Sequence, residues 1–389
     1  MAKPSAFQRI TSATEALRRA GVDVISLAMG ESGFSTPEWI SEAACRAVST
    51  GQMRYTEMTG TLALKEAVRQ KYERENDLRY EIDEIIISTG ATQALSNAMR
   101  ATLHPGDEVI LLVPYYSPYA DMIVAQGGVP VCVLAADDTG AIPLGALEAA
   151  ISSRTRWIIL NSPCNPSGVV LSTADLAALA VLLRRHPDIL IISDDIYEKT
   201  VFEGAAKNIV NVAPDLKDRT VVVNGVSKTY AMTGWRIGYA LGPRDLMAAM
   251  GYVQTISSWT PSAVGQVAAE AALTGPQEFL ESWRQAYSRR RDILVGFLNQ
   301  IEGLSCRYPS GAFYAFPSIE KLIGRRTPGG TLIEDDVALA TYLLNSAAVS
   351  TVPGSIFGAR HHLRMSFVVS EGQLTAACQR IASAIARLS

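Results

Sequence analysis

Up to residue 241 the chain repeats one pattern: a short run of nearly uninterrupted apolar residues, a turn, then a longer stretch in which apolar positions return at helical spacing. The short runs lie at 84–87, 108–113, 129–134, 157–160, 189–193, 220–224 and 237–241. A strand with one wet face alternates apolar and polar residues, so runs without alternation predict strands covered on both faces. The intervening segments, including 92–103, 143–152 and 174–185, are long enough to be crossover helices. The pattern therefore predicts an α/β fold, with a large domain built on a mostly parallel seven-stranded sheet covered by helices. Beyond about residue 261 the order changes. Helical patterns at 261–274 and 276–302 give way to short strands near 311–316, 350–352 and 363–366 and a last helix at 371–388, which predicts a smaller α+β domain.

Length agrees with two domains, since 389 residues exceed the ~250–300 at which a single core stops growing. The larger domain is expected at 47–285, and the smaller at 1–46 and 286–389, including an N-terminal arm. Apolar residues make up 48% and charged residues 19%, which suits a folded core and excludes a disordered chain. Lys and Arg number 35 against 38 Asp and Glu, with no dense basic run, so nucleic acid is not an expected partner. The five cysteines are scattered and never spaced Cys-x-x-Cys, and the four histidines lack helical metal-ligand spacing, so neither a disulfide framework nor a metal site is expected. The start of the chain has no signal-like apolar stretch, and runs such as 177–183 are too short to span a bilayer. A cytoplasmic protein without membrane contact is the expectation.

In an open α/β sheet, ligands gather beyond the carboxyl ends of the strands, so those residues carry the candidate chemistry. The run at 84–87 leads into Ser88-Thr89-Gly90-Ala91-Thr92 and a helix, which is either an ordinary cap or an anion cradle. After 157–160 comes Asn161-Ser162-Pro163-Cys164-Asn165-Pro166-Ser167-Gly168, whose prolines and glycine demand a fixed loop; the asparagines serve turn chemistry or a ligand. The run at 189–193 ends in Asp194-Asp195-Ile196-Tyr197, where Asp194 is a cap or a functional carboxylate. Lys228 follows the run at 220–224 directly, beside Ser227 and eight positions before Arg236. A desolvated lysine has a lowered pKa and can form a Schiff base. Pyridoxal 5′-phosphate (PLP) chemistry needs such a lysine, a carboxylate for the pyridine nitrogen and an anion site, which Lys228, Asp194 and the 90–92 turn with Arg236 could supply.

The segment GVSKTYAMTGWRIG resembles, position for position, the lysine signature of the class I, aspartate aminotransferase-like PLP enzymes of fold type I. MGESGFSTP, MRYTEMTGTLALKEAV, STGATQAL, PYYSPY, NSPCNPSG, SDDIYE, PSGAFYAF, VPGSIFG and LRMSF follow that family's order across 27–367. The resemblance implies that Lys228 holds PLP and shuttles the substrate proton, that Asp194 pairs with the ring nitrogen, and that Tyr197 and Asn165 bind the ring's phenolic oxygen. It implies a phosphate site of Gly90, Ala91, Thr92, Ser227 and Arg236, an aromatic on the ring at Tyr116, and a substrate carboxylate clamp at Arg364 near Gly30. Tyr55 matches a tyrosine that reaches the phosphate of a neighbouring subunit, which implies a homodimer with shared active sites; both tyrosines could instead be packing aromatics.

The implied reaction is transfer of the α-amino group of an L-amino acid to a 2-oxo acid. A PLP-dependent lyase of the C–S type and an aspartate-specific aminotransferase are alternatives on the same fold, and a PLP-sensing regulator lacks the attached basic helix-turn-helix it would need. Bacterial aspartate aminotransferases with this motif pattern commonly carry Lys at the position of Thr92. A distal carboxylate without a paired cation is costly to bury, so Thr92, together with Met29, Phe34 and Met58 near the expected entrance, leans the pocket toward neutral or aromatic side chains. The three apolar residues could equally be simple packing residues.

Overall fold

A computed structural model describes residues 6–51, 53–134 and 141–389. Its strands, in chain order, are β1 (Ile25–Ser26), β2 (Ile85–Ser88), β3 (Glu108–Val113), β4 (Val129–Leu134), β5 (Thr155–Asn161), β6 (Leu190–Asp194), β7 (Thr220–Gly225), β8 (Gly238–Leu241), β9 (Tyr314–Ala315), β10 (Val349–Ser350), β11 (Val352–Pro353) and β12 (Leu363–Ser366). Strands β2 to β8 form one seven-stranded sheet in the order β2-β8-β7-β6-β5-β3-β4. Only β8 opposes its neighbours; the pairs β3–β4, β3–β5, β5–β6 and β6–β7 are parallel.

Both faces of this sheet are buried, as the missing alternation predicts. Successive side chains of a strand point to opposite faces, and Ile85, Ile87, Ile158, Leu160, Ile191 and Val222 join the core on one side. Ile86, Trp157, Ile159, Ile192, Val221 and Val223 join the core on the other. The expected crossover segments are the helices Ala91–Thr102, Leu144–Ala150 and Thr173–Arg184. The last of these starts at Ser172, whose hydroxyl caps Asp175 N–H while the Asp175 carboxylate accepts the Ser172 N–H.

A third core gathers Leu294, Leu298, Phe313, Leu343, Met365, Phe367, Leu374 and Ile381 around the antiparallel sheet β11-β12-β9 and the parallel pair β1–β10. It is the α+β part expected at the C-terminal end. Two segments pass between cores. In the helix Phe279–Leu298, Phe279 packs against the large sheet's core and Tyr287 belongs to the third. Near the N-terminus the passage lies between Phe34, packed on the third core, and Trp39, packed on the sheet. The helix Glu38–Ser49 thus buries Ile40 and Ala44 against the large sheet, although the sequence placed it with the small domain up to 46. Among the described residues no helix is long and apolar enough to cross a membrane.

Register brings the chemistry-bearing residues to one edge. Asn161 pairs with Asp194, Asp194 with Val223, and Gly238 with both Gly225 and Ser88. Because β8 runs backwards, Arg236, which precedes it, lies at the same edge as the residues that follow β2, β5, β6 and β7. The crowding there is tight enough to require glycine at 238: a Cβ would lie 2.2 Å from Ala91 N and 2.4 Å from Gly90 C. Gly238→Ala is expected to displace the start of the helix Ala91–Thr102 and to destabilise the chain by about 1–3 kcal/mol. Urea unfolding checks this; an unchanged midpoint would show that the helix yields without strain.

Candidate active site

The edge opens into a cavity of about 660 Å³ lined by residues from both the large sheet and the third core. Lys228 lies in the short helix Val226–Thr229 that follows β7, and its Nζ donates to Gly30 O at 2.6 Å. Burial lowers its pKa to about 8; the Glu31 and Asp194 carboxylates oppose the shift, and the Arg364 and Arg236 guanidiniums add to it.

Asp194 ends β6, the middle strand, and is 4% exposed. Tyr119 OH donates to its Oδ2 at 2.5 Å and Ile196 N–H to its Oδ1 at 3.2 Å. Burial pushes the carboxyl up to about 6, against the pull of those two hydrogen bonds and of the Lys228 charge. The carboxylate both caps the turn that follows, through the Ile196 N–H, and lines the cavity, and no described group of carboxylates, cysteines and histidines could hold a metal ion.

Arg364 projects from β12 and is 5% exposed. Its Nη1 donates to Asn165 Oδ1 at 3.0 Å and its Nη2 to Ala28 O at 2.9 Å. Its guanidinium lies over the rings of Tyr314 and Phe357, at 4.5 and 5.1 Å from their centroids. Asn161 locks the loop beyond β5, accepting Asn165 N–H at 2.8 Å and donating to Asp194 O at 3.0 Å. Tyr197 shares a hydrogen bond of 2.9 Å with Tyr314 OH, and burial raises the pKa of both hydroxyls.

Arg236 takes the left-handed conformation, at φ 57°, and packs its guanidinium against Gly90. Gly90 is required twice: its φ is 84°, and a Cβ there would lie 2.4 Å from Arg236 Nη2. No side chain caps the helix that starts at Ala91, so its first N–H groups and the guanidinium face the same space. Ala91, Thr92 and Ser227 line the cavity there. Tyr116 also lines it and stands edge-on to Tyr119 at 5.4 Å between centroids.

The cavity thus unites Lys228, Asp194, Tyr197, Asn165, Ala91, Thr92, Tyr116, Ser227, Arg236, Arg364 and Gly30, with Gly90 behind Arg236. Tyr55 stands apart, 84% exposed and edge-on to Trp259 at 6.4 Å. Met29, Phe34 and Met58 are not among the lining residues. Phe34 is engaged elsewhere, stacked on Trp283 at 4.4 Å. Residues missed in the sequence supply the cavity's apolar character: Leu95, Ile356 and Phe357, together with Tyr119 and Tyr314. Tyr119, Tyr314 and Phe357 lie in the segments PYYSPY, PSGAFYAF and VPGSIFG, whose resemblance to the family was the available signal, but no role was assigned to them there.

Residues 22–381 match the family described as aminotransferase class I and II. The chain belongs to this family. It is 47% identical over 388 residues to an aspartate aminotransferase of Rhizobium meliloti, covering 99% of this chain and 94% of that one. It is 46% identical to an aspartate/prephenate aminotransferase of Cereibacter sphaeroides, covering 100% of this chain and 97% of the other. The crystal structure of the R. meliloti enzyme superposes with a TM-score of 0.95 at 45% identity, covering 100% of both chains. That of a Thermus thermophilus aspartate aminotransferase with maleate gives 0.91 at 40% identity, covering 98% and 97%. The chain is accordingly an aminotransferase of PLP fold type I, and membership implies PLP as the cofactor.

The Asp194 carboxyl sets a pH signature in the cofactor-free protein. Its pKa is raised from an ordinary 3.8 to about 6, so between those values the unfolded chain has released a proton that the folded chain keeps. The contribution of this group to stability therefore falls as pH rises through this window, by up to about 1.4 kcal/mol per pH unit, and its penalty is complete above it. Asp194→Asn is expected to remove this contribution, so that stability measured by urea unfolding falls less, or rises more, from pH 4 to 6 than in the native protein; a slope equal to that of the native protein would contradict the raised value.

Proposed function

We propose that this aminotransferase holds PLP across the cavity and transfers the α-amino group of an L-amino acid to a 2-oxo acid. The observation that carries the reading is a pair of buried groups in one cavity, Lys228 with a depressed pKa and Asp194 without an ion-pair partner. Bound there, PLP would supply an electron sink for the charge left when substrate Cα loses its proton. The residues fit that group. Asp194 matches a protonated ring nitrogen, since a buried carboxylate is costly until a cation joins it. The N-terminus at Ala91, with Thr92, Ser227 and Arg236, matches a phosphate. Tyr197 and Asn165 fit the ring's phenolic oxygen, and Tyr116 fits a stacking partner.

Lys228 Nζ would hold the cofactor at rest and, once displaced by substrate, take the proton from Cα. A pKa near 8 leaves part of the amine unprotonated near neutrality, as both tasks require. Arg364, fixed by Asn165 and Ala28, would grip the α-carboxylate with the donors left on its two terminal nitrogens, a forked geometry that lysine cannot reproduce.

The assembly and the domains follow in the same reading. Met53, Tyr55, Leu62, Tyr252, Ile256 and Trp259 are exposed apolar side chains on two segments joined by the Tyr55–Trp259 contact. They fit a homodimer interface that carries Tyr55 to the partner's phosphate site. The small domain is best divided from the large one between Phe34 and Trp39, and between Phe279 and Tyr287. All five cysteines are free, which fits the cytoplasm.

The donor preference rests on charge. The cations lining the cavity among the described residues are Lys228, Arg236 and Arg364, each already given a role, while Glu31 adds a carboxylate. A distal carboxylate finds no free cation there, and Leu95, Ile356 and Phe357 favour a neutral or aromatic side chain. The relatives' names favour aspartate instead, which would need a cation from the partner subunit.

Two experiments test the reading. Lys228→Ala should lose the borohydride-fixable PLP–protein bond and nearly all turnover; a reducible bond retained in that variant would refute the lysine assignment. A half-reaction screen should convert bound PLP to pyridoxamine phosphate with amino acid alone, which a lyase would not do, and kcat/KM should be higher for a neutral or aromatic donor than for aspartate. Aspartate preferred by more than about tenfold, or ~1.4 kcal/mol, would reject the preference.

A further inference from the structure

Behind the strand ends that carry Asp194 and Lys228 lies a charged cluster with no part in the chemistry above. Lys71, on the helix Leu62–Asn76, is 2% exposed. Its Nζ donates to Glu198 Oε1 and, at 2.8 Å, to Asn76 Oδ1. Glu198 Oε2 accepts from Asn76 Nδ2 at 3.0 Å, and Oε1 accepts also from Asn224 Nδ2 at 2.9 Å. Asn224 Oδ1 in turn accepts the Gly225 N–H at 2.7 Å. The neighbouring ionisable groups are engaged as well: Asp195 accepts from Ser193 Oγ and Asn208 Nδ2, and Lys199 pairs with Glu75. Burial pushes the Glu198 carboxyl up, but the Lys71 and Lys199 charges and the Lys71 and Asn76 hydrogen bonds more than reverse this and hold it below its ordinary value.

Stability is a weak explanation for such a pair. Desolvating each ion costs several kcal/mol, and apolar side chains of similar volume commonly do as well or better. Placement is a stronger one. Glu198 directly follows Tyr197, and Asn224 stands four residues before Lys228. One carboxylate therefore ties the turn that aims Tyr197 to the strand end from which the lysine turn begins, with the helix Leu62–Asn76 as the anchor. The backbone repeats the tie, since Asp195 N–H donates to Val223 O at 2.9 Å and Glu198 N–H to Asp195 O at 2.9 Å.

We propose that the buried Lys71–Glu198 pair, acting through Asn224, is a positioning device that sets the spacing between the Tyr197 hydroxyl and Lys228 Nζ. The proposal rests on the roles assigned to those two residues under the proposed function. Lys71 and Glu198 touch neither substrate nor cofactor; they hold the groups that do.

Two variants separate positioning from stability. Lys71→Met/Glu198→Gln removes both charges at similar volume, and Asn224→Ala cuts the link to the lysine while leaving both charges in place. The readout is the pH midpoint of the visible absorbance change of the PLP-loaded protein, with the melting temperature measured alongside. The native protein must first show a pH-dependent band and a borohydride-fixable bond; their absence there would refute the cofactor reading itself. Given them, each variant is expected to move the midpoint by about half a pH unit or more, because the separation of the phenolic-oxygen donor and the lysine nitrogen changes. An unmoved midpoint in a folded variant overturns the proposal even if the melting temperature drops, which is all that a purely structural pair would produce. Should one variant fail to fold, the other decides.

Discussion

A carboxylate without an ion-pair partner stands at the end of the middle strand of the large sheet, and the surrounding site is arranged to tolerate it. Asp194 is 4% exposed on the cavity lining, its charge eased by the Tyr119 hydroxyl, the Ile196 N–H and the nearby Lys228 charge. In a low-dielectric setting that arrangement is unfavourable until a cation arrives. The fold accepts the penalty because β5 and β7 flank β6 with near-continuous apolar residues, and the loop after β5 is locked to Asp194 through Asn161. The raised carboxyl pKa is the visible trace of that penalty, and a protonated pyridine ring is the chemical species that would relieve it.

The positive groups complement this carboxylate. Lys228, Arg236 and Arg364 converge on a single cavity; burial is the main cause of the lysine's lowered pKa, the two guanidiniums add to it, and the Glu31 and Asp194 carboxylates oppose it. Each guanidinium is restrained by neutral oxygens, Arg236 by Thr233 O and Arg364 by Asn165 Oδ1 and Ala28 O, and among the described residues neither has a carboxylate ion-pair partner. Restraint by neutral acceptors leaves the charge available, which suits two anions, a phosphate at the helix N-terminus and a substrate carboxylate across the cavity. The lysine between them is kept reactive by the same field. Behind the cavity the logic is reversed: Lys71 and Glu198 neutralise one another away from solvent, so their value lies in geometry rather than in available charge.

Much of this was legible in the sequence because its causes are local. Apolar runs without alternation are what a doubly covered strand requires, and the seven runs correspond to the seven strands to within one or two residues. Residues that follow a strand in an open sheet are bound to reach its edge, so the positions of Gly90, Asn165, Asp194 and Lys228 are legible in the sequence. What lay beyond the sequence depends on contacts between distant segments. The reversal of β8, which brings Arg236 onto Gly90, is a matter of strand order. Arg364 meets Asn165 across 199 residues of chain. Phe34 turned out to stack on Trp283 because two cores meet there, while Phe357 and Ile356 entered the cavity from the turn Gly354–Phe357 between β11 and β12. The sequence by itself determined which residue types stand at the strand ends. Only the tertiary structure decided which of them face one another, because register and side-chain direction are settled by packing across elements rather than by the residues that precede and follow.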